Sequence, residues 1–76
     1  MDMKEREELY QELVEARDLG YLDDFSFYGN KFITLNVNLL YEDKAGIVAQ
    51  HLERKYGYTL QQGRPGHWIF ERVIGY

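Results

Sequence analysis

The apolar residues of this 76-residue chain change their period at Gly20 and again at Gly57, and that double switch limits the folds open to it. Before Gly20, Leu9, Leu13 and Ala16 recur at helical spacing, with Tyr10, Val14 and Leu19 widening the stripe. After it, Phe25 and Phe27 alternate, and Ile33, Leu35, Val37 and Leu39 alternate over 31–39, as strands with one buried face require. Helical spacing returns over 42–56 in Ala45, Val48, Ala49, Leu52 and Tyr56. Alternation then resumes in 58–62 and 67–74. The predicted order is α-β-β-α-β-β.

The boundaries carry their own chemistry. Asp2 can cap the first helix, with Glu5 at the capping-box position, and Gly20 and Gly57 supply left-handed stops. Gly29-Asn30 suits a turn between the first two strands, and Gly63-Arg64-Pro65-Gly66 suits a loop whose Pro-Gly step fits a type II turn. A shift of 37 residues superposes Arg17-Asp18-Leu19-Gly20-Tyr21 on Arg54-Lys55-Tyr56-Gly57-Tyr58, Gly29 on Gly66, and Glu5 on Glu42. The expected architecture is α+β: one domain, 1–76, built as αββ halves 1–37 and 38–76. They share a four-stranded antiparallel sheet with both helices on one face.

Strand register stays open at this stage. A two- or four-residue first loop puts Phe27 beside Phe32, whereas a three-residue loop sets Phe25 and Phe27 with Ile33 and Leu35. In the last strand Trp68, Phe70 and Ile74 share one face, and Ile69 and Val73 the other. Either way two helices cover one face only, and large apolar groups are expected on the other.

Composition narrows the function classes. The chain has no cysteine, so disulfides, thiolate catalysis and cysteine-ligated zinc are excluded. It has no apolar run of membrane-spanning length and no signal-like segment behind Met1, so a cytoplasmic protein is expected. Residues 1–40 hold nine acids against four bases, and residues 41–76 hold four against five, giving a dipolar surface. A core this small supplies only about 3–5 kcal/mol of net stability, which favours association with another chain.

The residues that could carry chemistry are sparse. Asp23-Asp24 and Glu42-Asp43 read as a loop end and a helix start, and Ser26, the only serine, lacks a nucleophile motif. His51 and His67 lack an evident ligand set, so no metal, cofactor or catalytic residue is expected, and alanine at either should be tolerated. Arg54, Lys55, Arg64, His67, Trp68 and Arg72, with aromatics between them, could form a single-stranded nucleic-acid surface on the C-terminal hairpin. A toxin-like nuclease using His51 or His67 is a third reading.

Protein contact absorbs more of these features. Tyr, Trp, Phe and Arg favour interface cores, and they are abundant here at strand positions. The expected contact set on the uncovered face is Phe32, Thr34, Asn36, His67, Trp68, Ile69, Phe70 and Val73, with an acidic helix steering the partner. Short, acidic, tyrosine-rich, cysteine-free domains resemble in type the small regulators and inhibitors of phages and mobile elements. The expectation is a non-enzymatic regulator or inhibitor of a host protein, as a homodimer or bound to a partner.

Overall fold

A computed structural model describes residues 3–72. Helix α1 spans Met3–Asp18, strand β1 Leu22–Tyr28 and β2 Phe32–Val37. A 3-10 turn, Leu39–Tyr41, leads into α2, Glu42–Arg54, followed by β3, Tyr58–Arg64, and β4, His67–Arg72. The strands form one antiparallel sheet in the order β1-β2-β4-β3. The α+β fold and its element order match the reading of the sequence. The acids that open α2, Glu42 and Asp43, complement the positive end of the helix dipole. At the end of α1, Gly20 donates to the carbonyl of Arg17 at 3.0 Å and Tyr21 donates to Ala16 at 2.9 Å. That pair of bonds is a Schellman stop, and Gly20 holds the left-handed conformation it needs, φ 86°.

Loop length decides the register. Tyr28 pairs with Phe32, leaving Gly29–Lys31 as a three-residue loop, so Phe25 and Phe27 share a face with Leu35 and Ile33. A bulge at Asp23 then brings Leu22 opposite Val37, onto that same face, although Leu22 and Phe25 differ in parity. The face continues across β4, where Ile33 pairs with Phe70 and Leu35 with Trp68, and into β3 through Leu60 and Tyr58. The second loop is only Pro65-Gly66, because Gly63 and Arg64 extend β3; Gly66 has φ 79°, as the third residue of a type II turn requires.

Both helices bury their stripes on this face. Leu9, Leu13 and Ala16 of α1 and Ala45, Val48 and Leu52 of α2 join Leu22, Ile33, Leu35, Val37, Tyr58 and Phe70 in one core. Tyr56 completes it, and Trp68 packs against its margin. Tyr10 and Leu19, expected in the stripe of α1, are exposed instead. Two members of the expected contact set therefore need correcting. Phe70 is 0% exposed and Trp68 points toward the helices, because the three-residue loop fixes their parity with Leu35 and Ile33.

The sheet reads alike from either edge when β1 is exchanged with β3 and β2 with β4. Its central pairing is centred on Thr34 opposite Ile69, with Phe32–Glu71 and Asn36–His67 balanced around it. Among the described residues, positive φ occurs only at Gly20, Gly29, Gly57 and Gly66. These are two pairs, each 37 residues apart.

Tyr58 ties the first hairpin loop to the second half: its hydroxyl donates to the carbonyl of Asn30 at 2.8 Å. Burial raises its pKa above the ordinary value, with Arg72 and Arg6 pulling the other way. A raised folded pKa contributes stability that is complete below about pH 10 and is lost as pH rises through the folded value. Tyr58→Phe should cost about 1 kcal/mol at neutral pH through the lost hydrogen bond. It should also flatten the fall in stability above pH 10, and urea titrations of both proteins at pH 7 and 10.5 will show whether it does.

Candidate functional site

The uncovered face of the sheet presents Asp24, Ser26 and Tyr28 from β1, Phe32, Thr34 and Asn36 from β2, and His67, Ile69 and Glu71 from β4. Thr59, Gln62 and Arg64 of β3 complete it, with a bulge at Gln61 setting Gln62 opposite Ile69. Phe32 and Ile69 are half-buried at its centre, and Tyr28 beside them is exposed. His67 Nδ1 lies 2.8 Å from the side-chain oxygen of Asn36. Lys31 reaches Glu71 at 3.6 Å and lies 5.5 Å from the Phe32 ring centroid. The face is thus an apolar centre with a polar rim, more polar than the sequence suggested. Phe32, Thr34, Asn36, His67 and Ile69 are brought together on it. Val73 lies outside the described residues.

A second exposed surface was not foreseen. Leu39, Leu40 and Tyr41 are 55%, 86% and 44% exposed in succession, and Leu19 and Ile47 are also more than half-exposed or close to it. Asn38 builds this ridge. Its side-chain oxygen accepts from the Leu40 amide at 3.1 Å, and its side-chain nitrogen donates to the Gly20 carbonyl at 2.9 Å. Its own amide donates to Tyr21, and its carbonyl accepts from Tyr41. The Tyr41 ring lies 5.8 Å from that of Tyr21. Leu39 rests beside Gly66, whose carbonyl accepts from Val37, so the ridge adjoins the Asn36–His67 end of the open face. The signal in the sequence was the run Leu39-Leu40-Tyr41 behind an asparagine, which alternation absorbed into β2.

The edge of the sheet is closed differently. Tyr10 of α1 packs edge-on to Phe25 at 5.7 Å and tilted against Phe27 at 6.1 Å. Arg6 and Arg17 lie 5.2 Å over Phe27 and Phe25 respectively. These rings seal the flank between α1 and β1. With a bulge at Asp23 on one edge strand and at Gln61 on the other, both edges are poor templates for strand addition.

The structure disperses the expected basic surface. Arg64 and His67 face outward at the Pro65-Gly66 turn, Trp68 and Arg72 lie on the helix side of the sheet, and Arg54 and Lys55 end α2. The histidines are separated too: His51, on α2, sits with Nδ1 3.0 Å from the Glu12 carboxylate, and His67 is on the open face. Among the described residues no group of three or more His, Asp or Glu is placed to hold a metal ion, and no helix is long and apolar enough to cross a membrane. No family model, curated protein or solved structure matches this chain.

Proposed function

We propose that this protein acts by binding another protein, as a small non-enzymatic regulator or inhibitor. The contact runs from the ridge Leu39–Tyr41 onto Asn36, His67, Thr34, Ile69 and Phe32 of the open sheet face. The observation that carries this reading is the ridge. Three consecutive large apolar side chains held in water by a dedicated asparagine cap work against solubility unless something covers them. The small, acidic, cysteine-free type supports an inhibitor encoded by a phage or mobile element and directed at a host protein.

The open sheet face by itself is smaller than a stable contact needs. Four strands about 4.8 Å apart, each six residues long at about 3.3 Å, span only about 400 Å² in projection. A stable interface buries about 800 Å² on each side, so the partner must reach over the rim onto the ridge.

The test is affinity capture from extract of the source cells, with wild type and Leu40→Glu side by side, and light scattering of both. At a position this exposed the substitution should change stability by no more than about 0.5 kcal/mol. The wild type should retain a partner, or a second copy, that the variant does not. A monomeric wild type that captures nothing the variant lacks would sink the proposal. So would binding to single-stranded nucleic acid with a steep salt slope.

A further inference from the structure

The two αββ halves bury their apolar faces only against each other. Among the described residues, seven of the thirteen core side chains belong to α1-β1-β2 and six to α2-β3-β4. Within each half the helix packs on its own outer strand, α1 on β1 and α2 on β3. Between the halves runs the β2–β4 ladder, balanced around Thr34 and Ile69. At its ends Arg72 donates to the Lys31 carbonyl at 2.7 Å and Val37 to the Gly66 carbonyl at 2.9 Å. The Tyr58 hydroxyl on Asn30 and His51 beside Glu12 also cross from one half to the other. Every one of these contacts is offered equally to the matching half of a second chain.

Only the connection 38–41 decides which chain supplies it. Asn38 belongs to the first half, with its side-chain nitrogen on the Gly20 carbonyl and its amide on the Tyr21 carbonyl. Beyond Asn38 the turn is closed by two local bonds, from the Leu40 amide to the Asn38 side chain and from the Tyr41 amide to the Asn38 carbonyl. Opening those two bonds frees α2 to leave with its strands. Leu39 and Leu40, the most exposed part of the ridge, lie in this hinge.

We propose that the chain forms an exchanged dimer, in which α1-β1-β2 of one copy pairs with α2-β3-β4 of another and 39–41 is the hinge. Each lobe repeats the contacts of the single chain, so exchange sacrifices only the two turn bonds. The two hinges cross side by side between the lobes, where the ridge of each copy covers that of the other. Halves joined by a short linker meet at an effective concentration of about a millimolar, so exchange competes in concentrated protein. This goes beyond the binding reading above, since it names a second copy as the cover of the ridge when no foreign partner is present.

The chain has no cysteine, so introduced thiols report the pairing directly. Asn36 and His67 are exposed and lie opposite each other, next to the Val37–Gly66 bond, in a pair whose Cα atoms stand about 4.5 Å apart, within reach of a disulfide. An Asn36→Cys chain and a His67→Cys chain are mixed, unfolded in urea, refolded together at about 1 mM and at a hundredth of that, and oxidised. Only exchange sets position 36 of one chain against position 67 of another. Light scattering should show dimers at the higher concentration, and mass spectrometry should find 36–67 links at least tenfold over links between like chains. Adding Leu40→Glu to both chains should lower the linked fraction several-fold. A monomer at both concentrations, links between like chains as frequent as 36–67 links, or a linked fraction indifferent to Leu40→Glu would each overturn the proposal. Partner capture by dilute monomer is read separately, so either inference can fail without the other.

Discussion

Phe70→Ala should bring the domain to about its unfolding midpoint at 25 °C, with roughly half of the molecules unfolded without denaturant. Phe70 sits on a central strand with Ile33 on one side and Leu60 on the other, and no part of it reaches solvent. Truncating a buried phenylalanine costs about 3–5 kcal/mol, as transfer energy and cavity cost together. A domain of this size has about 3–5 kcal/mol in all. The two quantities are comparable, so the variant sits near its unfolding midpoint and far-UV circular dichroism without denaturant should show loss of about half of the helical signal. Phe32 provides the contrast within one sheet. It is half-buried on the other face, beside Glu71, and its alanine variant should fold with a lowered urea midpoint. Equal losses at Phe70 and Phe32 would show that the register is wrong, since it is the register that sends the two rings to opposite faces.

That contrast marks how far the fold could be read from the sequence. Element order was legible because each change from helical to strand period coincides with a glycine, Gly20 or Gly57, and all four left-handed glycines stand where the sequence has a stop or a turn. Facing was not legible. It depends on whether the first loop has two, three or four residues, and Gly29-Asn30-Lys31 suits more than one length. The bulges add a second obstacle. Asp23 and Gln61 each insert one residue against the partner strand, which reverses parity locally and places Leu22 in the core beyond a pair of aspartates. No local composition announces such an insertion.

The candidate surfaces were partly legible for the same reasons. Phe32, Thr34, Asn36, His67 and Ile69 were grouped correctly on one face because they keep strict alternation across β2 and β4. Trp68 and Phe70 join that set only while both registers are open, and the three-residue loop closes the one that would expose them. The ridge was hidden by its own pattern: Leu39 continues the alternation of Ile33, Leu35 and Val37, and nothing but the capping role of Asn38 ends the strand there. That α1 and α2 lie side by side, joined by Glu12 and His51, was hidden as well, because spacing within either helix does not reveal it.

Gly20→Ala and Gly46→Ala should shift stability in opposite directions, although both replace a glycine by the same residue. Gly20 has φ 86°, and a Cβ built there would meet Tyr41 only at 4.0 Å, an ordinary contact. The penalty is therefore conformational. An alanine held in the left-handed region costs about 1–2 kcal/mol, and the alternative is to surrender the Schellman bonds to Arg17 and Ala16. Gly57, at φ 76° and with Arg72 Nε 3.8 Å from a Cβ, should behave the same way. Gly46 lies inside α2 with nothing within 4 Å of a Cβ, so alanine there restricts the unfolded chain and should gain about 0.5–1 kcal/mol. In a domain this small the two directions lie far apart, at several degrees of melting temperature for each kcal/mol. Combining Gly20→Ala with Gly57→Ala should cost the sum of the two, because the sites end different helices and share no partner. A Gly20→Ala variant as stable as wild type would show that the turn after α1 relaxes without its left-handed residue, and the correspondence between the two helix stops would lose its physical basis.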